Sequence, residues 1–279
     1  MTRESNDKVL NIVQLYPNEM NIYGDNGNVL VLSRRAELYG FNPKVIKFEL
    51  GDSSEILREA DLIVGGGGQD SGQLKVAADL QKNANTFREI IASGTPGILI
   101  CGLYQLFAKS FLTSDGTEID GIGIFDARTI GQSKRLIGNI ITETEFGELV
   151  GFENHSGLTY LENNQAEFAK VITRGGGNNG KDGGSNAKGE DLIAVSRISG
   201  KNIGGTEGSR EINCFGSYLH GPILPKNPKL ADELLRIAIS RKFGDEFKLA
   251  PANESDKNDL DRINELASEA RKIAMKRPR

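Results

Sequence analysis

The 279-residue chain reads as an α/β protein, with a parallel-core sheet flanked by helices and a short-strand antiparallel extension. Three observations predict this. The N-terminal half alternates short apolar, β-branched runs with helical periodicity, the pattern of repeated strand, helix, strand units joined by right-handed crossovers. From about Gly121 the pattern changes to short strand-like runs with little helix between them. A hydrophobic content of 38% over this length is enough to bury a substantial core.

Taken in order, KVLNIVQLY (8–16) is a strand, and GNVLVLSRRAELYG (27–40) is a helix closed by its final glycine. PKVIKFEL (43–50) is the second strand. SEILREA (54–60) is a short helix capped by Ser53 or Ser54. DLIVGGGG (61–68) is a strand running into a glycine loop, and residues 73–92 form a long helix. GILI (97–100), introduced by Pro96, is a short continuous apolar run of the kind found in buried central strands, and LYQLFAKSF (103–111) after it is helical. The later strands are GIGIFDA (121–127), IGNIITET (137–144), ELVGFEN (148–154), LIAVSRI (192–198) and EINCFGSYLH (211–220), closed by a helix over 229–243. Residues 8–249 are expected to form one domain. Within it, 174–190 (RGGGNNGKDGGSNAKGE) is so rich in glycine and asparagine that it reads as a flexible surface insertion. Residues 250–279 form a charged tail with helical spacing and a thin apolar face of Leu260, Ile263, Leu266 and Ile273.

Composition narrows the function. A net charge of −4 and a pI near 5.5 argue against a nucleic-acid surface, so small molecules or another protein are the expected ligands. No run approaches the roughly 20 apolar residues of a membrane span, and the polar start MTRESNDK is unlike a signal peptide, so a cytoplasmic protein is expected. The 2 cysteines make no disulfide framework, and the 2 isolated histidines, without CxxC spacing, give no expected metal site.

Cys101 lies where the GILI strand stops and a helix begins. A sharp turn of this kind strains the backbone and lifts the side chain clear of the sheet, while Gly102 lets the chain bend. Unpaired N–H groups at the helix start would favour a thiolate and later an oxyanion. A nucleophilic thiol needs a base. His220 also ends a short apolar strand, where the chain turns through Gly221 and Pro222, and catalytic groups collect at the carboxyl ends of strands in open α/β sheets. His155, in the polar turn ENHS, is the competing histidine. The run Gly65 to Gly68 lacks the spacing of a dinucleotide or phosphate loop, but its unobstructed N–H groups could face an oxyanion beside Cys101.

Several separated segments carry a resemblance. GGGQD (66–70), PGILICGLYQLF (96–107), GFENHSGLTYL (151–161) and GSYLHGPILPKNP (216–228) resemble the class I glutamine amidotransferase family in its cobyric acid synthase-like branch. So do YPNEMNIYGDNGN (16–28), IDGIGIFD (119–126) and the SKRLIGNI stretch around Arg135, and the likeness runs from about Lys8 to Phe247. Within the branch, the chain is similar to glutaminase subunits that serve lipid II amidation. The resemblance implies a flavodoxin-like fold. It also implies that Cys101 attacks the side-chain amide of L-glutamine, with His220 as base and later acid. Gly102 and either Gly67 or Gly68 would form the oxyanion hole, Arg135 would bind the substrate carboxylate, and Gln105 would line the glutamine pocket.

The chain departs from the family pattern after the histidine. Gly221 and Pro222 stand where most members carry an orienting glutamate two residues on. The third acid is then Asp25, Glu153 or a partner's carboxylate. Leu103 replaces the branch's usual glycine after CysGly. No ATP motif occurs here, so ATP and magnesium are expected on a Mur ligase-like synthetase subunit of the MurT type. That partner would form a heterodimer with this chain, take up its ammonia and reach lipid II at the inner face of the membrane. A cysteine hydrolase of the DJ-1 type and a non-catalytic small-ligand module are the alternatives.

Overall fold

The computed structural model describes residues 8–173, 175–179 and 205–277. Strands β1 (Val9–Leu15), β2 (Asn42–Phe48), β3 (Leu62–Gly65), β4 (Gly97–Ile100) and β12 (Cys214–Ser217) run parallel. They are ordered β12-β4-β3-β1-β2, and β11 (Ser209–Glu211) pairs antiparallel on the edge beside β12. Both β3 and β4 are buried at every position, because helices cover both faces of a parallel sheet. Helix α1 (Asn26–Leu38) connects β1 to β2, while α2 (Glu55–Arg58) and α3 (Asp70–Ala92) lead back across β1 to β3 and β4. Right-handed crossovers in opposite directions place these helices on opposite faces and open a crevice at the carboxyl ends of the strands.

The remaining helices are α4 (Gly102–Phe107), α5 (Ile223–Lys226), α6 (Pro228–Phe243) and α7 (Glu254–Lys276). Both α6 and α7 pack against α1. Their link is buried Arg35, whose Nε and Nη2 each donate to Asp232 at 2.6 Å and whose Nη1 donates to Asn264 at 2.9 Å. No helix among the described residues is long and apolar enough to cross a membrane.

A second sheet extends from the first. It contains β5 (Ser110–Leu112), β6 (Glu118–Asp120), β7 (Ala127–Thr144), β8 (Gly147–Leu161), β9 (Ala169–Thr173) and β10 (Gly205–Glu207). Strands β7 and β8 form one long antiparallel hairpin, so the short strands expected at 137–144 and 148–154 are pieces of longer ones. The pairing register breaks between Gly131 and Leu136. Arg135 sits in that break.

Five expectations need correction, the first being the helix read at 103–111, which ends at Phe107 and gives way to β5 at Ser110. Residues 121–126 form no strand: the N–H groups of Ile122, Gly123 and Ile124 instead satisfy the Leu106, Ala108 and Phe107 carbonyls at the end of α4. The run 211–220 is not one strand, because Ile212 turns with φ 55° between β11 and β12, and β12 ends at Ser217. The insertion 174–190 is not wholly a surface excursion. Its residues 176–179 are buried, with Gly176 and Gly177 N–H groups bound to the Glu153 carboxylate and the Asn178 side chain bound to Gly208. The rest of that insertion, and the strand expected at 192–198, lie outside the described residues. The tail is helical, but Leu266 and Ile273 are 51% and 56% exposed, and its docked face is Leu260 and Ala267 with Asn264 and Arg271. Polar anchors set that rotation, which an apolar count alone misses.

Candidate active site

Cys101 follows β4 with φ 51° and ψ −101°, a strained conformation for a residue with a side chain. Its N–H donates to Ser217 O at 2.8 Å, so β12 holds the turn from the side. Gly102 opens α4 in a space too tight for a methyl, which would lie 2.8 Å from Met20 Cε and 3.0 Å from Gly68 N. The Gly102 N–H, at the first helical position, has no intrahelical acceptor.

The same end of the sheet carries His220. Beyond β12 its backbone bridges Phe152 of β8 in both directions, at 2.8 and 3.1 Å. The ring is buried and tilted against Tyr23, with centroids 4.5 Å apart. Gly67 lies against both candidate reacting groups. A Cβ there would lie 3.0 Å from His220 Cε1 and 3.2 Å from Cys101 Cβ. His220 Nδ1 stands 3.4 Å from Asp25 Oδ2, which leaves Nε2 for the thiol. Among the described residues neither ring nitrogen has a well-aligned hydrogen bond. Burial opposes an imidazolium here. Interaction with Cys101 and with Asp25 outweighs it and raises the His220 pKa to about 10.

The two candidate third acids go to different histidines. Asp25, just before α1, is buried beside His220. Glu153 Oε2 lies 3.8 Å from His155 Nε2. His155 donates from Nδ1 to Gly157 O at 2.7 Å and stacks on Tyr218 with centroids 3.7 Å apart. Burial lowers its pKa to about 3, so it is a neutral ring at physiological pH.

The glycine loop discriminates between its own members. Gly67 N–H is committed to Asp25 Oδ2 at 3.0 Å, so it is not available to an oxyanion. Gly67 O accepts from Ile22 N at 3.1 Å, and in a trans peptide the Gly68 N–H then points the opposite way. Gly68 N itself lies 3.0 Å from the position a methyl on Gly102 would take. Of the two glycines read from the sequence, Gly68 is therefore the one whose N–H converges with that of Gly102.

In front of Cys101 lies a cavity of about 610 Å³ lined by Tyr23, Gln73, Gln105, Arg135, Asn154 and Ser156, among others. Arg135 is aimed by Asn154, through Nε to Oδ1 at 3.0 Å and Nη2 to the carbonyl at 2.9 Å, and by Tyr23 Oη at 3.3 Å. Gln105 is buried in the wall and donates to Tyr218 Oη at 3.2 Å. Tyr23, Gln73 and Asn154 have no sequence spacing that links them to Cys101. Only the folded loops bring them together. A strained thiol, a buried imidazole with a carboxylate, and two converging N–H groups over a cavity can carry out acyl transfer through a covalent intermediate.

Glu207 is a further buried acid near the site that sequence reasoning missed. It accepts from Tyr218 N at 2.6 Å and from Ser217 Oγ at 3.2 Å, yet burial raises its pKa to about 8. A raised carboxyl pKa contributes stability below about pH 4.3, and that stability is lost as pH rises through about 8. Glu207→Gln should remove this slope. Thermal unfolding at pH 5 and pH 8.5 should show the wild type losing stability relative to the variant, by on the order of 4 kcal/mol at most. Parallel curves would mean that Glu207 is ionised in the fold.

Comparison with known proteins is consistent with this geometry. The CobB/CobQ-like glutamine amidotransferase domain model matches residues 11–228. The chain is 37% identical over 84% of its length to the Staphylococcus aureus lipid II isoglutaminyl synthase (glutamine-hydrolyzing) subunit GatD, covering 86% of that protein. It is 36% identical to the Streptococcus pneumoniae subunit of the same name, over 88% of this chain and 86% of that one. Among solved structures, a glutamine amidotransferase superimposes with a TM-score of 0.50 at 13% identity, over 81% of this chain and 98% of its own. Thermotoga maritima PurLQS gives 0.50 at 14% identity, over 82% and 97%. At such identities the structures speak for the fold alone.

Proposed function

The chain belongs to the CobB/CobQ-like glutamine amidotransferase family, and from that premise we propose that it is the glutaminase subunit of a lipid II isoglutaminyl synthase. The observation that carries the chemistry is the meeting of Cys101, His220 and Asp25 over the cavity. The two GatD relatives support the choice of complex.

In this reading glutamine enters with its α-carboxylate on Arg135 and its carboxamide carbon against Cys101 Sγ. The thiol proton of Cys101 already rests on His220 as an imidazolium beside the thiolate, and Asp25 holds the ring so that Nε2 faces the sulfur. Attack gives a tetrahedral oxyanion held by the Gly68 and Gly102 N–H groups. In comparable sites the loss of one such donor costs roughly 3 kcal/mol of barrier. The imidazolium then protonates the departing nitrogen, ammonia leaves, and a thioester remains on Cys101. Water, deprotonated by His220, releases glutamate and restores the thiol. In this reading Asp25 fills the orienting role, with a partner's carboxylate as the alternative.

Ammonia free in bulk water is protonated and loses its nucleophilicity. A Mur ligase-like synthetase of the MurT type, holding ATP and magnesium, would receive it and amidate the α-carboxylate of D-glutamate in the lipid II stem peptide, giving D-isoglutamine. The complex would act in the cytoplasm at the inner face of the membrane. The test is glutamate release from glutamine by the chain alone and with that synthetase. The expected outcome is measurable glutamate from the single chain, with nitrogen appearing as amidated lipid II only when both subunits and ATP are present. Hydrolysis of other amides or esters in preference to glutamine would favour a general cysteine hydrolase. Glutamine binding without turnover would favour a ligand-binding module.

A further inference from the structure

Gln73, in the first turn of α3, is 2% exposed and lines the cavity. Its amide orientation is fixed by its neighbours. Nε2 donates to Gly68 O at 3.3 Å, and a backbone carbonyl can only accept. Nε2 also donates to Gln105 Oε1 at 3.2 Å, which turns Gln105 Nε2 toward Tyr218 Oη. Tyr218 Oη continues to Thr159 Oγ1 at 2.7 Å, and Thr159 to Thr129 at 2.8 Å. One atom of this directed chain remains unused. Gln73 Oε1 is a buried acceptor with no protein partner among the described residues, an arrangement that folded proteins seldom leave unanswered.

The location indicates which donor would meet it. Gln73 Nε2 lies 3.2 Å from the position a methyl on Gly102 would take, beside the Gly68 and Gly102 N–H groups. A carboxamide whose oxygen sits on those donors presents its nitrogen next to its oxygen. The α-ammonium group lies at the other end of the substrate, with the α-carboxylate.

We propose that Gln73 determines specificity by accepting an N–H of the substrate carboxamide, so that the site takes glutamine and rejects glutamate. This rests on the glutaminase reading above. The product carboxylate has no N–H to offer and sets a charged oxygen against the Gln73 lone pair. Sites built to hydrogen-bond a substrate N–H discriminate strongly against analogues that lack it.

The experiment compares L-glutamine with L-glutamate γ-methyl ester, which keeps the acyl group and forms the same thioester but lacks the N–H. Gln73→Met should lower kcat/KM for glutamine by about 10- to 100-fold while leaving the ester within about threefold. In the wild type, glutamate should inhibit at least about tenfold more weakly than glutamine binds. An equal loss on amide and ester, no loss on either, or glutamate binding as tight as glutamine in the wild type would overturn the assignment. If the wild type turned over the ester but never glutamine, the glutaminase reading itself would fail, and that outcome is distinct from the others.

Discussion

Cys101→Ala should remove glutamine hydrolysis by about five to six powers of ten, the scale seen when a covalent nucleophile is deleted. No second group can take over the attack. The other thiol, Cys214, is fully buried in β12, and burial pushes its pKa up, so it is held as an uncharged thiol. The fold should survive the change, because alanine removes one sulfur from the cavity wall and leaves the β4 register untouched. Cys214→Ala is the opposite case. It should keep most of the activity and cost about 1–2 kcal/mol of stability through the gap left against Gly97. Steady-state glutamate release and thermal unfolding, measured on both variants, separate the two roles. An active Cys101→Ala protein would end the covalent account.

The second large effect concerns the pair behind the thiol. His220→Ala should reduce the rate by at least about 100-fold, within the range for a general base, and Asp25→Asn by about 10² to 10⁴. The Asp25 variant carries an additional signature. In the wild type the imidazolium persists until pH rises through about 10, because Cys101 and Asp25 both favour the charged ring. With Asp25 neutralised, one of those anions is gone, and His220 should lose its proton at a lower pH. The chain has 2 histidines, so their ring resonances are readily followed. One should titrate late and move earlier in Asp25→Asn. The other, His155, should stay neutral until pH falls toward about 3. Unchanged titration and rate in Asp25→Asn would transfer the orienting role to a carboxylate outside this chain.

The candidate pair was legible in the sequence because each residue follows a short apolar run that stops at a glycine turn. A four-residue apolar run, a cysteine and a glycine admit few readings, and a second strand end carries one of the only histidines. The third acid was not legible. Asp25 and Glu153 look equivalent as letters, and only the meeting of the loops after β1, β3 and β12 puts Asp25 at His220 while the hairpin puts Glu153 at His155. The choice between Gly67 and Gly68 was hidden for a similar reason, since it depends on which way one peptide plane is turned by Ile22 and Asp25. Composition was misleading at 176–179, where a run of glycine and asparagine looks unable to pack. Its backbone N–H groups answer a buried carboxylate, and glycine is what allows the close approach: a Cβ at Gly176 would sit 2.4 Å from Leu136 Cδ1. The GIGIFDA segment shows the converse, an apolar run whose N–H groups close a helix end instead of joining a sheet.

Covalent trapping tests the central claim most directly. The wild-type chain would be incubated with an electrophilic glutamine analogue, with and without excess glutamine, and the adduct located by peptide mass spectrometry. The account predicts one adduct per chain on Cys101, prevented by glutamine, sharply slowed in His220→Ala and absent in Cys101→Ala. Labelling of Cys214, or labelling of Cys101 that glutamine does not suppress, would contradict it.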